Sequence, residues 1–216
     1  MSETFLTFFH RPADESAEAF GKRLRHTASD MAADDRAVPV IVFVDDGDVG
    51  APPEATAMPS TFDGAILSGG VEAGSLPAGD AAYRVSRRVI KSRTRGAGGD
   101  RSAGFTVICP SVRASFLDHE QFNAHWRDNH SRVHVAASPG TCHYEQLIID
   151  EKLTPGAPDW DGVGLLSFAA ASEYTDRLFG GPDDQKAIMD DVARFLDLPK
   201  GETLPASEYV YRDESA

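Results

Sequence analysis

The chain has 216 residues, 41% of them hydrophobic and 25% charged, and 21 basic residues against 34 acidic ones give a formal charge of −13. Such a balance belongs to a globular protein long enough to bury a core, and the negative charge argues against a nucleic-acid partner. Two cysteines, Cys109 and Cys142, exclude a disulfide scaffold and a four-cysteine zinc site, while the lack of a long apolar run or a basic-then-apolar leader leads us to expect no membrane partner and a cytoplasmic location.

Taken in chain order, Phe5-Leu6-Thr7-Phe8-Phe9 reads as an opening strand, rich in β-formers with a two-residue period. A helix is expected from about Ser16 to Met31, then a strand over Val38–Asp45. A loop holding Pro52, Pro53 and Pro59 leads to Phe62-Asp63-Gly64 and a strand through Ser68. The glycine-rich stretch Val71–Asp80 leaves no room for a second helix. Ala82–Ser92 reads as the fourth strand, with a helix over Ala81–Lys91 as the competing reading. A basic run here (Arg84, Arg87, Arg88, Lys91, Arg93 and Arg95) reads as the solvated face of a strand or linker rather than a phosphate grip. Arg95–Arg101, with three glycines, reads as a linker.

The order then recurs. Phe105–Cys109 reads as a strand, and a helix starts near Asp118, a good N-cap, and runs to about Ala137, where Ser138-Pro139-Gly140 stops it. A strand over Thr141–Asp150, a loop with Pro155 and Pro158, and Trp160-Asp161-Gly162 before an apolar strand follow in the same sequence as their first-half counterparts. A helical region over Ser172–Leu196, broken at Gly180-Gly181-Pro182, and a strand near Glu208–Arg212 complete the chain. Matching elements in matching order point to duplication. A β-α-β-β-α-β unit is the ferredoxin-like plait, so the expected fold class is α+β. Two ferredoxin-like (βαββαβ) repeats would press their bare sheet faces together as an intrachain dimeric α/β-barrel arrangement. Residues 1–94 would be a degenerate repeat lacking its second helix, 95–103 a linker, and 104–216 the repeat carrying the site.

At 100° per residue, Phe122, Trp126, Val133 and Ala137 form one stripe that should face the sheet. His130 falls at its edge, His119 projects to the same side, His134 lies further round and His125 on the opposite shoulder. An imidazole at the edge of a buried stripe suits general acid/base work, but it can equally cap a core by bonding a carbonyl. Spacing alone leaves both readings open. Aligning Phe20 with Phe122 sets Leu24 against Trp126 and Ala28 against His130, so the first copy lacks the imidazole. His130 and His134 have the four-residue spacing of metal ligands, with Glu145, His143 or Asp161 as further donors. His119-Glu120 is no zincin start, because Asn123 stands where the second histidine would be. On the strand Thr141–Asp150, Cys142, Tyr144, Gln146 and Ile148 share one face and His143, Glu145, Leu147 and Ile149 the other, and the pocket-lining face stays open. Tyr144 is a candidate donor to a developing oxyanion. Arg113 is a candidate holder of a substrate carboxylate, with a surface role as its alternative. Asp161-Gly162 reads as a turn before a strand, and neither cysteine has an evident base.

The second half resembles the EthD family of dimeric α/β-barrel proteins. The resemblance is carried by Asp118-His119-Glu120-Gln121-Phe122, by His125-Trp126-Arg127-Asp128-Asn129-His130, by Pro139-Gly140 before a strand with Tyr144, by Trp160-Asp161-Gly162-Val163 and by Phe195-Leu196-Asp197. It covers the second half well and the first only faintly. It implies a fused pseudo-dimer, a pocket between sheet and helices, and a Trp-x-x-x-His feature that favours His130 as a working group. Related barrels include isomerases, polyketide cyclases, decarboxylases and cofactor-free monooxygenases, and some bind haem, so architecture does not fix the reaction. The expectation is a cofactor-independent enzyme of lyase, isomerase or decarboxylase type, acting on a small apolar, aromatic or polyketide-like molecule. His130 and Tyr144 would be catalytic, Trp126, His134, Phe122 and Arg113 would surround the substrate, and no metal or cofactor is expected. One alternative is a non-catalytic binder or accessory protein of a catabolic pathway. Another is a haem- or metal-binding monooxygenase-like protein. Pairing of the fused unit with a second copy stays open.

Overall fold

In this computed structural model the described residues are 3–213. The elements are β1 (Thr4–Phe9), α1 (Ala17–Ala32), β2 (Val40–Val44), β3 (Gly64–Gly69), β4 (Ala81–Lys91), β5 (Asp100–Arg101), β6 (Phe105–Ser111), α2 (His119–His125), α3 (Ser131–Ala137), β7 (Thr141–Lys152), β8 (Gly162–Phe168), α4 (Ala171–Thr175), α5 (Pro182–Val192) and β9 (Leu204–Arg212). The competing helix over Ala81–Lys91 is overturned: β4 pairs with β1 on one side and β7 on the other.

The fold is α+β with one large antiparallel sheet. Strands pair in the order β2-β3-β1-β4-β7-β8-β6-β9, β2 also pairs with β9 to close the ring, and β5 adds a short rung outside β9. Counting strands within each half, the order is second-third-first-fourth in both. Closure leaves the long strands without bare edges that would invite another chain. Among the described residues, no helix is long and apolar enough to cross a membrane.

Period-two alternation sorts the side chains. Leu6, Phe8, Ile41, Phe43, Tyr83, Leu147, Trp160 and Leu165 fill the barrel, while the alternate residues meet the helices. Over the first half, Ser16 caps α1 by accepting from the Ala19 amide at 3.2 Å. Phe20, Leu24 and Ala28 of that helix pack on Val40, Val42 and Ile66. Over the second half, Phe122, Trp126, Ile188, Val192 and Phe195 pack on Ile148. No second α-helix covers the first half. In its place Val71–Asp80 runs close along β1, so close that a Cβ on Gly79 would stand 2.4 Å from Thr7 Cγ2.

The Asp-Gly pairs are not turns. Gly64 and Gly162 open strands β3 and β8, and neither has a positive φ. Each is kept small by the helix above it: a Cβ would stand 2.7 Å from Leu24 Cδ1 at Gly64 and 2.2 Å from Trp126 Cζ3 at Gly162. The preceding aspartates tie loops. Asp63 Oδ2 accepts from the Arg11 amide and Asp161 Oδ2 from the Arg113 amide, each at 2.8 Å.

The basic run also differs from expectation. Arg84 does sit at the rim, between Glu3 and Glu151. Arg87, however, turns inward to Glu145 (2.9 Å) and Asp213 (2.8 Å). Arg95, from the segment expected to be a solvated linker, has a side chain only 4% exposed and meets Glu145 (2.7 Å), Asp213 (2.9 Å) and Glu208 (3.3 Å). Arg93 reaches Glu208 at 3.2 Å. Burial alone would raise the pKa of Glu145. Hydrogen bonds from Arg87 and His143, with the charge of Arg95, hold it well below the usual carboxylate range. Three guanidinium groups are thus matched to three carboxylates, which the composition-level reading of this run did not anticipate.

Candidate functional site

The second-half helix begins with a capping box. The Gln121 amide donates to Asp118 Oδ1 at 2.8 Å, and the Asp118 amide donates to Gln121 Oε1 at 3.0 Å. Midway the helix widens. Trp126–His130 forms a π-turn between α2 and α3, closed by the Ser131 amide donating to Trp126 O. Gln146 on β7 donates its Nε2 to that same carbonyl at 2.9 Å. In a regular helix each four-residue step drifts about 40° round the axis, and the wider turn takes up that drift. Phe122, Trp126, His130 and His134 are therefore all buried. His130 is inside rather than at an edge, His134 is inside rather than further round, and Val133 is only half-buried.

Helix α5 supplies the partner. Asp191, 3% exposed, accepts from His130 Nδ1 at 2.8 Å, from His125 Nε2 at 2.9 Å and from Asn129 Nδ2 at 2.5 Å. Burial by itself would raise its pKa, but hydrogen bonds from His130 and His125 and their charges outweigh burial and lower it. An ionised Asp191 holds the proton on His130 Nδ1 and leaves Nε2 as the basic nitrogen. That nitrogen has no hydrogen bond among the described residues. Phe195 packs beside both rings, with centroids 4.9 Å from His130 and 5.0 Å from His125.

His134 lies 5.8 Å from His130 and 4.6 Å from Tyr144, centroid to centroid, and its Nε2 is 3.3 Å from Thr141 Oγ1. Burial, then the charges of His130 and Lys91, lower its pKa to about 3, so it is neutral. Tyr144 Oη accepts from Trp126 Nε1 at 2.7 Å and from Gln146 Nε2 at 3.1 Å. Burial raises the Tyr144 pKa, so it stays a phenol. With two donors aimed at its oxygen, its own proton must be offered elsewhere.

On that strand Tyr144, Gln146 and Ile148 face the helices, and Leu147 and Ile149 face the barrel core. His143 and Glu145 belong to the ionic cluster inside the barrel, across the sheet from His130. The metal grouping considered from spacing is therefore not assembled, and no group of three or more His, Cys, Asp or Glu suited to a metal occurs among the described residues. Arg113 is not brought to the histidines. Its guanidinium binds Asp161, its Nε donates to Leu117 O at 3.0 Å, and His119 Nδ1 lies 3.3 Å from the same aspartate. Burial pushes the Cys109 thiol up to about 12. An open cleft of about 420 Å³, lined in part by Asp45, Phe62, Asp63 and Leu204, includes none of the histidine-layer residues.

Asp191 was missed from sequence. Its signal was present: Ile188, Asp191, Val192 and Phe195 place an acid inside an i, i+3, i+4, i+7 apolar pattern, which a helix tolerates only when the acid has partners.

Comparison with known proteins bears on this half of the chain. Residues 115–199 match the family model described as EthD domain. No curated protein matches the chain. A solved structure described as an anthrone oxidase-like protein aligns with 98% of this chain and 92% of its own, at 13% identity and a TM-score of 0.57. A "putative monooxygenase" from Lactobacillus acidophilus NCFM aligns with 98% of this chain and 95% of its own, at 9% identity and a TM-score of 0.52. At such identities the likeness concerns the fold alone. Phe122, Trp126, His130, His134, Tyr144 and Asp191 all fall inside the segment that matches the EthD domain model.

Proposed function

We propose that the second half is a cofactor-independent acid/base enzyme for a small, largely apolar, aromatic or polyketide-like molecule. The observation that carries the reading is the His130 Nδ1–Asp191 contact of 2.8 Å inside an otherwise apolar layer. It presets the tautomer, so His130 Nε2 takes a proton from an acidic C–H and returns it to another carbon in an isomerase step or to the leaving group in a lyase step; in a decarboxylase step the protonated ring delivers its proton to the carbon from which CO2 departs. The imidazolium formed is stabilised by Asp191. Tyr144 supplies a hydrogen bond to the oxygen on which charge develops. Trp126 and Phe122 form the wall, and neutral His134 positions the Tyr144 ring rather than moving protons. Arg113 has no part in this chemistry.

The chain is further read as two fused ferredoxin-like units, residues 1–94 and 104–216, with the first serving as sheet partner. The common strand order, the paired Arg11–Asp63 and Arg113–Asp161 ties, and the glycines under Leu24 and Trp126 support that reading.

Hydrogen–deuterium exchange at carbon acids tests the chemistry whatever the product is. A panel of aromatic and polyketide-like ketones is incubated in D2O with wild type and with His130→Ala. The expected loss in the variant is about 10²–10⁴-fold; equal exchange by both proteins would sink the mechanism. A second reading, carriage of an unaltered hydrophobic ligand, is favoured by the three side chains that Asp191 clamps at once, a good structural arrangement in its own right. Native mass spectrometry of co-purified material separates the two, since carriage leaves the bound compound unchanged.

A further inference from the structure

We propose that Arg88 and Lys91 form an anion-receiving edge of the histidine layer, so that the molecule handled there is a small organic carboxylate. This names a substrate class for the site and rests on the reading of that layer as a small-molecule site.

Four cations of the basic run have carboxylate partners: Arg84, Arg87, Arg93 and Arg95. Arg88 and Lys91 do not, among the described residues. Arg88 donates Nη1 to Gln146 Oε1 at 2.8 Å and Nη2 to Asn123 Oδ1 at 3.3 Å, both neutral acceptors. Lys91 donates Nζ to the Thr141 carbonyl at 2.5 Å. The guanidinium has five N–H donors and the ammonium three, so both keep donors in reserve. Both residues are half-buried, where an anion can reach them without the layer opening. Burial and the neighbouring charge of Arg127 lower the Arg88 pKa, and the charge of Asp128, which is bonded to Arg127, only partly offsets them.

The backbone brings the two together. Strict alternation would send Arg88 and Lys91 to opposite faces of β4. A β-bulge between Val89 and Lys91 re-aims the strand, so that Arg88 lies opposite Gln146 and Lys91 opposite Tyr144. Gln146 and Tyr144 face the helices, and the two cations share that side. Each is one residue removed from the layer. Arg88 holds Gln146, which donates to Tyr144, and Lys91 holds the backbone of Thr141, whose hydroxyl meets His134. A carboxylate between the cations would leave the rest of the molecule beside Tyr144 and His134. Arg84, on the same strand but at the rim and already paired with Glu3 and Glu151, is the natural control.

Binding to the full chain is followed by NMR, reading the histidine ring and indole N–H resonances during titration with sodium benzoate, neutral benzamide and inorganic phosphate. Benzoate should shift His134 and the Trp126 indole and bind at least about tenfold more tightly than benzamide, the discrimination a charge-assisted pair provides. Arg88→Gln and Lys91→Gln should each weaken benzoate by about tenfold or more, and Arg84→Gln should leave it unchanged. Because the hydrogen bond of Lys91 goes to a main-chain carbonyl, its variant remains informative if Arg88→Gln does not fold. Equal benzoate affinity in Lys91→Gln, or equal affinity for benzamide, overturns the proposal. So does phosphate that moves the same resonances as tightly as benzoate, since that describes an unselective cationic patch. The readout is binding rather than turnover, so benzoate retained by a catalytically inert His130→Ala separates failure of the chemistry from failure of the anion edge.

Discussion

Helix α1 and the α2–α3 helix occupy corresponding places over corresponding glycines, yet they cover the sheet in opposite ways. Above Gly64 stands Leu24, flanked by Phe20 and Ala28, none more than 1% exposed. Above Gly162 stands Trp126, flanked by Phe122 and by an imidazole. The first helix is regular for 16 residues and hydrocarbon suffices to seal it. The second needs a π-turn, a carboxylate from α5 and an amide from β7 to bury its polar groups. The difference teaches where a buried polar residue is tolerated: an imidazole survives in a core only beside an element that brings its partner. Helix α5 exists in the second half alone.

That contrast can be broken most severely at the partner. Asp191→Ala removes the acceptor shared by buried His130, half-buried His125 and exposed Asn129, and should cost about 3 kcal/mol of stability by urea denaturation, with Asp191→Asn recovering part of it. A variant as stable as wild type would mean that the second layer is held by its apolar contacts, like the first. The reverse experiment puts the imidazole where it has no partner. Ala28→His should lose about 2–3 kcal/mol, from overpacking and an unsatisfied ring, while retaining whatever the second half binds.

The glycines give a smaller effect of graded size. Gly162→Ala, whose Cβ would meet the indole at 2.2 Å, should lower thermal stability more than Gly64→Ala, whose Cβ would meet a flexible leucine methyl at 2.7 Å. About 1–3 kcal/mol is the scale of such overpacking. Importing the first-half solution, Gly162→Ala with Trp126→Leu, should restore much of the loss, and failure to do so would show that the two helices do not sit equivalently. The smallest effect is a slope. His134 has its folded pKa lowered from 6.5 to about 3, so its contribution is whole above 6.5 and is lost as the pH falls toward 3. Over that window wild type should lose about 1.4 kcal/mol per pH unit more than His134→Leu does in matched chemical denaturation. Parallel pH curves would show that His134 is not buried as a neutral ring.

The strands and both helix starts were legible in the sequence because Ser16 and Asp118 are strong caps and because Phe5–Phe9 and Phe105–Cys109 carry plain alternation. The absence of a second helix in the first half was legible from the glycines of Val71–Asp80. Trp126 and His130 were found as a pair, but not their depth, since a π-turn leaves no propensity signature and moves every later residue round the axis. The β-bulge at Ile90 was hidden for the same reason. The basic run was misread because its residues were weighed as a charge total; taken in alternation, they divide between barrel interior and helix layer. Asp191 was readable as an acid in an apolar stripe, though its partners lie about sixty positions earlier.

The ionic cluster inside the barrel has a consequence for how the chain can be divided. Arg87 and Arg93 come from the first half, Arg95 from the connecting segment, and Glu145, Glu208 and Asp213 from the second. A piece ending at residue 94 would carry two cations meant for an interior it no longer has, and a piece starting at 104 would carry three carboxylates without their arginines. Each half is therefore an obligate complement of the other.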